Sequence, residues 1–287
     1  MDYSYTPHLG WSHSRFETFM YCKRKYYYTY YSRFVTDDRV KDLKELLNIQ
    51  LSTGKMGHEC IKMILERLCK SNTAIDNYRL FKLIDSKVNK FMDENSFSEV
   101  SYNTMAFSEL LQMVLGNVHI IIKSFLKSSR FEWIRTKATK VSKSWVIDSE
   151  GYGETRIEGM KAYCKPDFLI PNLDEISYIF DWKSGMPSKK DESQLCGYKW
   201  VACNEYDIPR DKLVTIAAYI FPKYDEKIID ITDYMYDKFP NVIKLETTEM
   251  NRYCEDVSQN IPKKMEEFEM ASKNKCRICN FRILCGR

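Results

Sequence analysis

The fold is decided by two neighbouring segments, Tyr163-Cys164-Lys165-Pro166-Asp167-Phe168-Leu169-Ile170 and Ile176-Ser177-Tyr178-Ile179-Phe180-Asp181-Trp182-Lys183-Ser184-Gly185. Each is an apolar run with an acidic residue, and the turn residues Pro171-Asn172 lie between them, so we expect two strands. If the strands pair as a hairpin, Asp167 approaches Asp181. Asp181 and Lys183 are two residues apart, so on a strand they point to the same face.

This arrangement predicts a cation site. Two neighbouring carboxylates repel each other unless a cation joins them, and hard oxygen ligands suit Mg²⁺ or Mn²⁺. A lysine beside such an ion can orient or deprotonate a water and offset charge on a phosphate. The alternative is a solvated hairpin with an ordinary surface Asp and Lys. Against it stand the apolar strand that runs into Asp181, the following Ser184-Gly185, and Pro166-Asp167 on the preceding strand.

The rest of the chain reads as an α/β core between helical segments. Apolar spacing predicts helices across residues 40–135. Alternation predicts a strand over 141–147, and further strands are expected at 155–170, 176–183 and 212–221. We also expect helices at 191–206 and at 244–272, the second kinked or split at Pro262.

Composition excludes several classes of protein. The 287 residues are 44% hydrophobic and 29% charged, a globular profile rather than a disordered or fibrous one. We expect no membrane span, since no apolar run approaches about eighteen residues, and residues 1–5 do not begin a signal peptide. A cytoplasmic protein is predicted. The formal net charge of +4 permits a nucleic-acid partner without requiring one.

Ten cysteines are many for a chain expected in a reducing compartment. Cys276, Cys279 and Cys285 form the pattern C-x2-C-x5-C, and Cys22 is the best candidate for a fourth ligand. Tetrahedral zinc and iron–sulfur clusters both take four ligands, so the spacing leaves both open. Buried reduced thiols are expected for the other six, which are Cys60, Cys69, Cys164, Cys196, Cys203 and Cys254.

Taken together, the motifs resemble the PD-(D/E)XK nuclease superfamily. Pro166-Asp167 resembles the first half of its signature and Asp181-Trp182-Lys183 the second. The following Ser184-Gly185 makes the chain similar to the RecB-like branch. Two more motifs of that branch have counterparts here: Gln194-Leu195-Cys196-Gly197-Tyr198 matches Gln-x-x-x-Tyr, and Gly57-His58 matches an upstream histidine.

The cysteines extend the resemblance to iron–sulfur nucleases of the same superfamily, namely AddB-type helicase–nuclease subunits and nucleases of CRISPR adaptation. Their pattern of Ser-x-Ser, a short aromatic helix and a cysteine before basic and aromatic residues is matched by Ser12-His13-Ser14 and Cys22-Lys23-Arg24-Lys25-Tyr26. Lys23 stands where the family often has proline. The resemblance implies a [4Fe-4S] cluster on Cys22, Cys276, Cys279 and Cys285.

The implied fold is restriction-endonuclease-like: an α/β mixed sheet core flanked by helices, with a helical insertion and an iron–sulfur-stapled subdomain formed by the N- and C-terminal segments. We expect a single nuclease domain over residues 1–287. Its parts are an iron–sulfur region (11–40 and 244–287), a helical insertion (41–137) and a catalytic α/β core (138–222).

The implied activity is metal-dependent hydrolysis of DNA, most often by an exonuclease acting on single-stranded ends. Mg²⁺ or Mn²⁺ would be held by Asp167, Asp181 and the carbonyl of Trp182, with His58 as a further ligand. Lys183 would position or activate the attacking water. The resemblance gives Gln194 and Tyr198 the task of orienting the substrate or Lys183.

Two other interpretations stay open. The chain could be a weakly active DNA-binding or assembly subunit of a CRISPR-adaptation, repair or defence complex, or a zinc-stapled endonuclease that cuts duplexes. Residues 19–34 are rich in aromatic and basic side chains. These rings could stack on unpaired bases beside phosphate-binding lysines and arginines, or they could pack around the cluster.

Overall fold

The computed structural model describes residues 5–71, 73–148 and 153–287. Contacts divide the chain into two compact units. We call the first the sheet unit; it comprises the described residues of 47–150 and 165–232. The second, the cysteine unit, comprises those of 1–46, 151–164 and 233–287.

The described chain contains both helices and strands. In chain order the helices are α1 (His13–Tyr21), α2 (Lys23–Tyr30), α3 (Arg39–Glu45), α4 (Ile49–Lys70), α5 (Asn77–Asp93), α6 (Ser98–Ser101), α7 (Phe107–Leu126), α8 (Ser129–Thr136), α9 (Lys190–Glu205), α10 (Asp233–Asn251) and α11 (Lys273–Cys276). The strands are β1 (Val146–Ile147), β2 (Glu154–Ile157), β3 (Met160–Tyr163), β4 (Phe168–Leu173), β5 (Ile176–Lys183), β6 (Leu213–Tyr219), β7 (Asp225–Ile228), β8 (Cys254–Asp256) and β9 (Ile261–Pro262).

The sheet unit is built on a mixed five-stranded sheet with the order β1-β4-β5-β6-β7. β4 and β5 form the expected antiparallel hairpin, with Phe168 opposite Phe180. β6 runs parallel to β5, with Ala217 opposite Asp181. Parallel neighbours need a crossover connection, which α9 supplies. The mixed α/β class predicted from the sequence is therefore confirmed.

Aromatic rings on one face of the sheet belong to the hydrophobic core. Phe168, Phe180 and Trp182 are stacked, with Phe180 and Trp182 ring centroids 5.5 Å apart. The apolar sides of α4, α5 and α7 belong to the same buried cluster. Burial of apolar surface is the dominant favourable contribution to the free energy of folding, and aromatic rings bury a large area each.

Helix α7 is long and apolar enough to cross a membrane by length and composition alone. Six of its apolar residues are buried in the core of the sheet unit: Leu110, Val114, Val118, Ile121, Ile122 and Phe125. Their spacing places them along one side of the helix, as in an amphipathic core helix. Its other positions hold polar and charged residues such as Glu109 and Lys123, together with exposed apolar residues such as Met113 and Ile120.

Three chain segments come together in the cysteine unit. Trp11, with 1% of its surface exposed, forms a bridge to Ala162 and donates from Nε1 to Oε2 of Glu246 at 2.6 Å. The backbone N–H of Arg24 donates to the carbonyl of Glu269 at 3.1 Å. Residues near the two ends of the sequence therefore pack in one unit.

The aromatic residues of α1 and α2 serve this packing. Phe19, Tyr26, Tyr27, Tyr28 and Tyr31 are each at most 5% exposed. Their rings make edge contacts with one another, and Tyr27 also meets Phe268 with centroids 4.7 Å apart. Of the two interpretations of residues 19–34, base stacking is wrong for these five rings, because their faces are covered by protein.

Two predicted elements differ from the observed ones. Within the strand expected over 141–147, only Val146–Ile147 forms a strand, because Ala138–Ser144 forms 3-10 turns that continue the helical segment. The helix expected over 244–272 ends at Asn251, and a small antiparallel pair, β8 and β9, follows it. Asn260, with a left-handed φ of 50°, allows the turn before Pro262.

The strand expected at 155–170 is divided into three. Ile157 pairs with Met160, so β2 and β3 form a hairpin around the two residues Glu158 and Gly159, both with positive φ. This is the geometry of the tight turns that favour glycine. β4 starts afresh at Phe168.

Candidate active site

The β4–β5 hairpin brings together the three residues singled out in the sequence. Asp167 directly precedes β4, and its Oδ2 accepts a hydrogen bond from the backbone N–H of Trp182 at 2.7 Å. On β5, Nζ of Lys183 lies 2.5 Å from Oδ2 of Asp181. The two-residue spacing of Asp181 and Lys183 therefore gives the shared face that strand periodicity predicts.

His58 approaches the same carboxylates from α4. Its Nδ1 lies 3.6 Å from Oδ1 of Asp167. Glycines allow this helix to come close: a Cβ on Gly57 would lie 3.0 Å from Cδ1 of Ile121, and a Cβ on Gly54 would lie 2.7 Å from Oγ of Ser184. The Gly57-His58 pair thus has a physical reason, since the glycine permits the close packing that presents the histidine.

The electrostatics of the site favour a cation. Burial raises the pKa of Asp181 to about 7, and the charge of Asp167 adds to this effect. For His58, burial lowers the pKa, but Asp167, Asp181 and the backbone of Trp182 together outweigh burial and the net change is upward. A neighbouring negative charge favours the protonated form of a carboxyl group, whereas a cation between the two groups would favour both anions.

Helix α9 supplies the partners of Lys183. Its ammonium donates to Oε1 of Gln194, and Nε2 of Gln194 donates to the hydroxyl of Tyr198 at 2.7 Å. Gln194 and Tyr198 stand one helical turn apart, as the Gln-x-x-x-Tyr spacing requires. The amide therefore has its oxygen toward the lysine and its nitrogen toward the phenol.

Two residues that were not expected fix the start of α9. Asp191, 6% exposed, accepts hydrogen bonds through Oδ2 from the backbone N–H of Ser188 at 3.0 Å and from the hydroxyl of Tyr219 at 2.7 Å. Tyr219 lies on β6, opposite Lys183 on β5. The sequence offered one weak signal, a serine three residues before an aspartate, which is typical of helix starts.

The donor set fits a divalent ion. Among the described residues, Oδ2 of Asp181 is buried without a well-aligned hydrogen-bond donor, and Nζ of Lys183 lies 2.5 Å from it as an ion-pair partner. Asp167, Asp181, the carbonyl of Trp182 and His58 would be the ligands of such an ion. Within residues 5–71, 73–148 and 153–287, no group of three or more His, Cys, Asp or Glu side chains is already arranged to hold a metal.

A cleft of about 590 Å³ opens beside these residues in the sheet unit. Its walls include His58, Lys62, Asp148, Asp167, Trp182 and Ser184. Of the candidate metal ligands, His58, Asp167 and Trp182 therefore line the cleft, whereas Asp181 is buried, with 2% of its surface exposed. A cleft lined by titratable groups of this kind is the usual form of an active site.

The four cysteines expected to bind a cluster all lie in the cysteine unit. Cys22 separates α1 from α2, and its Sγ accepts from the backbone N–H groups of Lys25 and Ala271, each at 3.4 Å. Cys276 ends α11, and Cys285 ends a short 3-10 segment. All ten cysteines are free thiols.

These four sulfurs influence one another electrostatically. Burial raises the pKa of the Cys279 thiol, and the neighbouring Cys22 and Cys276 raise it further. Burial likewise raises the pKa of Cys285, to which Cys279 and Cys22 add. N–H groups pointing at sulfur are a common feature of iron–sulfur sites. The thiols and their N–H donors thus fit a four-cysteine metal group by chemistry, although in the described residues they do not form ligand geometry.

A hairpin with paired carboxylates, a lysine two residues along and a mixed sheet define a class of nuclease. A family model of the PD-(D/E)XK nuclease superfamily matches residues 10–286. The chain belongs to this superfamily. It is similar to the crystal structure of SSO0001, with 16% identity and a TM-score of 0.31, over 78% of this chain and 96% of that chain. No curated protein matches it.

Proposed function

We propose that this protein is a metal-dependent deoxyribonuclease that hydrolyses phosphodiester bonds, acting as an exonuclease on single-stranded DNA ends. One observation carries the proposal: Asp167, Asp181, Lys183 and Gln194 converge at one end of the β4–β5 hairpin. Membership of the superfamily supports the nuclease class. The preferences for DNA, for single strands and for ends rest on the sequence resemblance.

Each residue of the candidate site has its own role in the proposed hydrolysis. Asp167, Asp181 and the carbonyl of Trp182, with His58 beside them, would hold Mg²⁺ or Mn²⁺. Such an ion would supply Lewis acidity at the phosphate and lower the pKa of water. Lys183 holds the attacking water and offsets the negative charge that grows on the phosphate oxygens. Gln194, fixed by Tyr198, keeps the lysine amine in place.

In the same proposal, Cys22, Cys276, Cys279 and Cys285 hold a [4Fe-4S] cluster in the cysteine unit. The cluster supplies a covalent tie between segments distant in sequence. Closing a loop that long costs several kcal/mol of chain entropy, which metal–thiolate bonds offset. Such a cluster agrees with the cytoplasmic location we propose, where thiols stay reduced.

End-labelled single- and double-stranded DNA tests the function. We expect purified protein to shorten the single strand with Mn²⁺ or Mg²⁺ and to stop when chelator is added. Lys183→Ala should abolish cleavage and leave the circular dichroism spectrum unchanged. Lys212→Ala, which removes an exposed lysine of the same unit, is the matched control and should cleave normally. Full activity of Lys183→Ala would disprove the role of this lysine.

A circular single strand separates the two modes of cleavage. We expect it to resist the enzyme, because an exonuclease needs an end. Cleavage of the circle would instead establish an endonuclease. Absence of any cleavage, together with retained DNA binding, would favour the assembly-subunit alternative.

A further inference from the structure

A cluster of two lysines and one aspartate lies beside the candidate metal ligands without belonging to them. Asp148 directly follows β1. Its Oδ2 lies 2.8 Å from Nζ of Lys62, and its Oδ1 lies 2.6 Å from Nζ of Lys165. One carboxylate therefore holds two ammonium groups, one from α4 and one from the segment before β4.

This cluster is fixed to the hydrolytic residues by the backbone. The N–H of Asp148 donates to the carbonyl of Asp167 at 2.9 Å. Lys62 stands four residues after His58 on α4, one helical turn or about 6 Å along the axis. Lys165 is two residues before Asp167. Both lysines therefore lie close along the chain to residues that are proposed to bind the metal.

The groups remain accessible to a ligand. The side chains of Lys62, Lys165 and Asp148 are 29%, 27% and 42% exposed. Lys62 and Asp148 line the same cleft as His58 and Asp167. Two ammonium groups and one carboxylate leave a net charge of +1, which complements the single negative charge of one phosphodiester.

We infer that Lys62 and Lys165, held together by Asp148, bind a second phosphate of the substrate strand, next to the phosphate that is hydrolysed. The strand then runs along α4, with one phosphate at the carboxylates and its neighbour at the two lysines. Asp148 is a positioning residue, because it gathers the two amines without touching the substrate. This inference rests on the proposed nuclease function and names part of its substrate site.

The competing explanation is a purely structural tie between α4 and the sheet. Loss of such a tie would lower stability but would leave the salt dependence of DNA binding unchanged. Loss of a lysine–phosphate contact would weaken that dependence, because each contact releases counterions from the strand. The salt dependence of binding therefore separates the two explanations.

The experiment measures binding of a labelled single-stranded oligonucleotide by fluorescence anisotropy at several salt concentrations. The full-length Lys183→Ala protein serves as the cleavage-silent background. For single strands, log K falls with log salt by about 0.7 per phosphate contact. We expect Lys62→Gln and Lys165→Gln each to make the slope shallower by up to about 0.7, and Lys212→Gln, the control, to leave it unchanged.

Cleavage by proteins that retain Lys183 gives a second measurement. We expect the double variant Lys62→Gln, Lys165→Gln to raise KM about tenfold with kcat within about threefold, because binding to a phosphate that does not react is lost equally from the ground state and the transition state. Lys62→Arg should restore most of the affinity, since the positive charge is kept.

The outcomes distinguish this inference from the nuclease proposal. A salt slope and KM equal to those of the Lys212→Gln control, with lowered thermal stability, would overturn the phosphate site and leave a structural tie. If the wild type does not cleave, but the lysine variants still change the slope, the nuclease proposal fails and the phosphate site stands. No binding of DNA by any variant overturns both.

Discussion

Lys183 on β5 donates a hydrogen bond to Oε1 of Gln194, eleven residues further along the chain on α9. The same ammonium lies 2.5 Å from Oδ2 of Asp181. The lysine is therefore fixed between a strand carboxylate and a helix amide, and its long side chain has little freedom left. In the proposed reaction, the lysine contributes its positive charge, and its two partners contribute by holding that charge in a fixed position.

Gln194→Ala should lower kcat by about tenfold to a hundredfold, because Lys183 loses the acceptor that aims it and small misplacements are costly in catalysis. KM should change little, since the amide does not bind remote parts of the substrate in this proposal. Single-turnover cleavage of end-labelled DNA measures both effects. The control is Glu192→Ala, an exposed residue in the first turn of the same helix. Equal losses in the two variants would mean that only the stability of α9 matters.

Gly57→Val should destabilise the protein by about 1–3 kcal/mol, because the new side chain collides with Ile121 in a tightly packed core. Gly116→Ala on α7 is the opposite case, since nothing lies within 4 Å of its added Cβ. There we expect a gain of about 0.5–1 kcal/mol from the lower flexibility of the unfolded chain. Urea unfolding of both variants measures these differences. An undiminished stability of Gly57→Val would contradict the close packing of α4 on α7.

The Arg130–Glu226 pair gives the sheet unit an acid-sensitive contact. Arg130 Nη2 lies 2.6 Å from Oε1 of Glu226, and the hydroxyl of Tyr224 donates to Oε2 of Glu226 at 2.7 Å. Burial alone would raise the pKa of Glu226, but the hydrogen bonds from Arg130 and Tyr224 lower it overall. A lowered carboxyl pKa stabilises the fold above the unfolded value of about 4.3, and this contribution is lost as pH falls through the folded value.

Glu226→Gln should therefore cost about 1 kcal/mol or less near neutral pH, since the pair is only partly shielded from solvent. The difference from wild type should shrink toward zero as pH falls below about 4. Urea unfolding across this range checks the trend. Glu175→Gln, in an exposed pair with Lys212 at 3.4 Å, should show almost no difference at any pH. A Glu226→Gln deficit that grows on acidification would contradict the sign of the effect.

Protein purified without oxygen should be brown and contain about four irons per chain if the four cysteines hold a [4Fe-4S] cluster. Cys22→Ser should lose most of the iron and the visible absorption. Cys69→Ser, which changes an exposed cysteine of the sheet unit, should keep both. A colourless protein with one zinc per chain would instead establish the zinc-stapled alternative.

The sequence predicted the hairpin well because its information is local. Asp181 and Lys183 share a strand, and Phe168 and Phe180 pair across a short turn, so period-two spacing was enough. The Gln194–Tyr198 pair was singled out by the family resemblance, and helix spacing then placed the two side chains on one face. Contacts between distant elements were less accessible: neither the link of Asp191 to Tyr219 nor the approach of Lys62 and Lys165 to Asp148 leaves a periodic signal.

The incorrect elements have a common cause. A helix over 244–272, kinked or split at Pro262, fits the helix-forming residues there, but Asn260 takes a left-handed turn and Pro262 pairs with Cys254 instead. The rings of α1 and α2 are also ambiguous in sequence, because aromatic residues suit both base stacking and burial. Tertiary packing decides such cases, and local propensity does not.

The cysteine unit imposes an order on how the protein can fold during synthesis. Trp11 donates a hydrogen bond to Glu246, and Arg24 donates hydrogen bonds to the carbonyls of Phe268 and Glu269. The segment with Trp11 and Arg24 must therefore wait for partners 235 and 244 residues further along the chain, and pairings this far apart form slowly. Until then, the tyrosine-rich segment of α1 and α2 lacks residues such as Phe268 that pack against it. Exposed apolar surface of this kind promotes aggregation, so we expect aggregation of incomplete chains to compete with folding until the later segment is made.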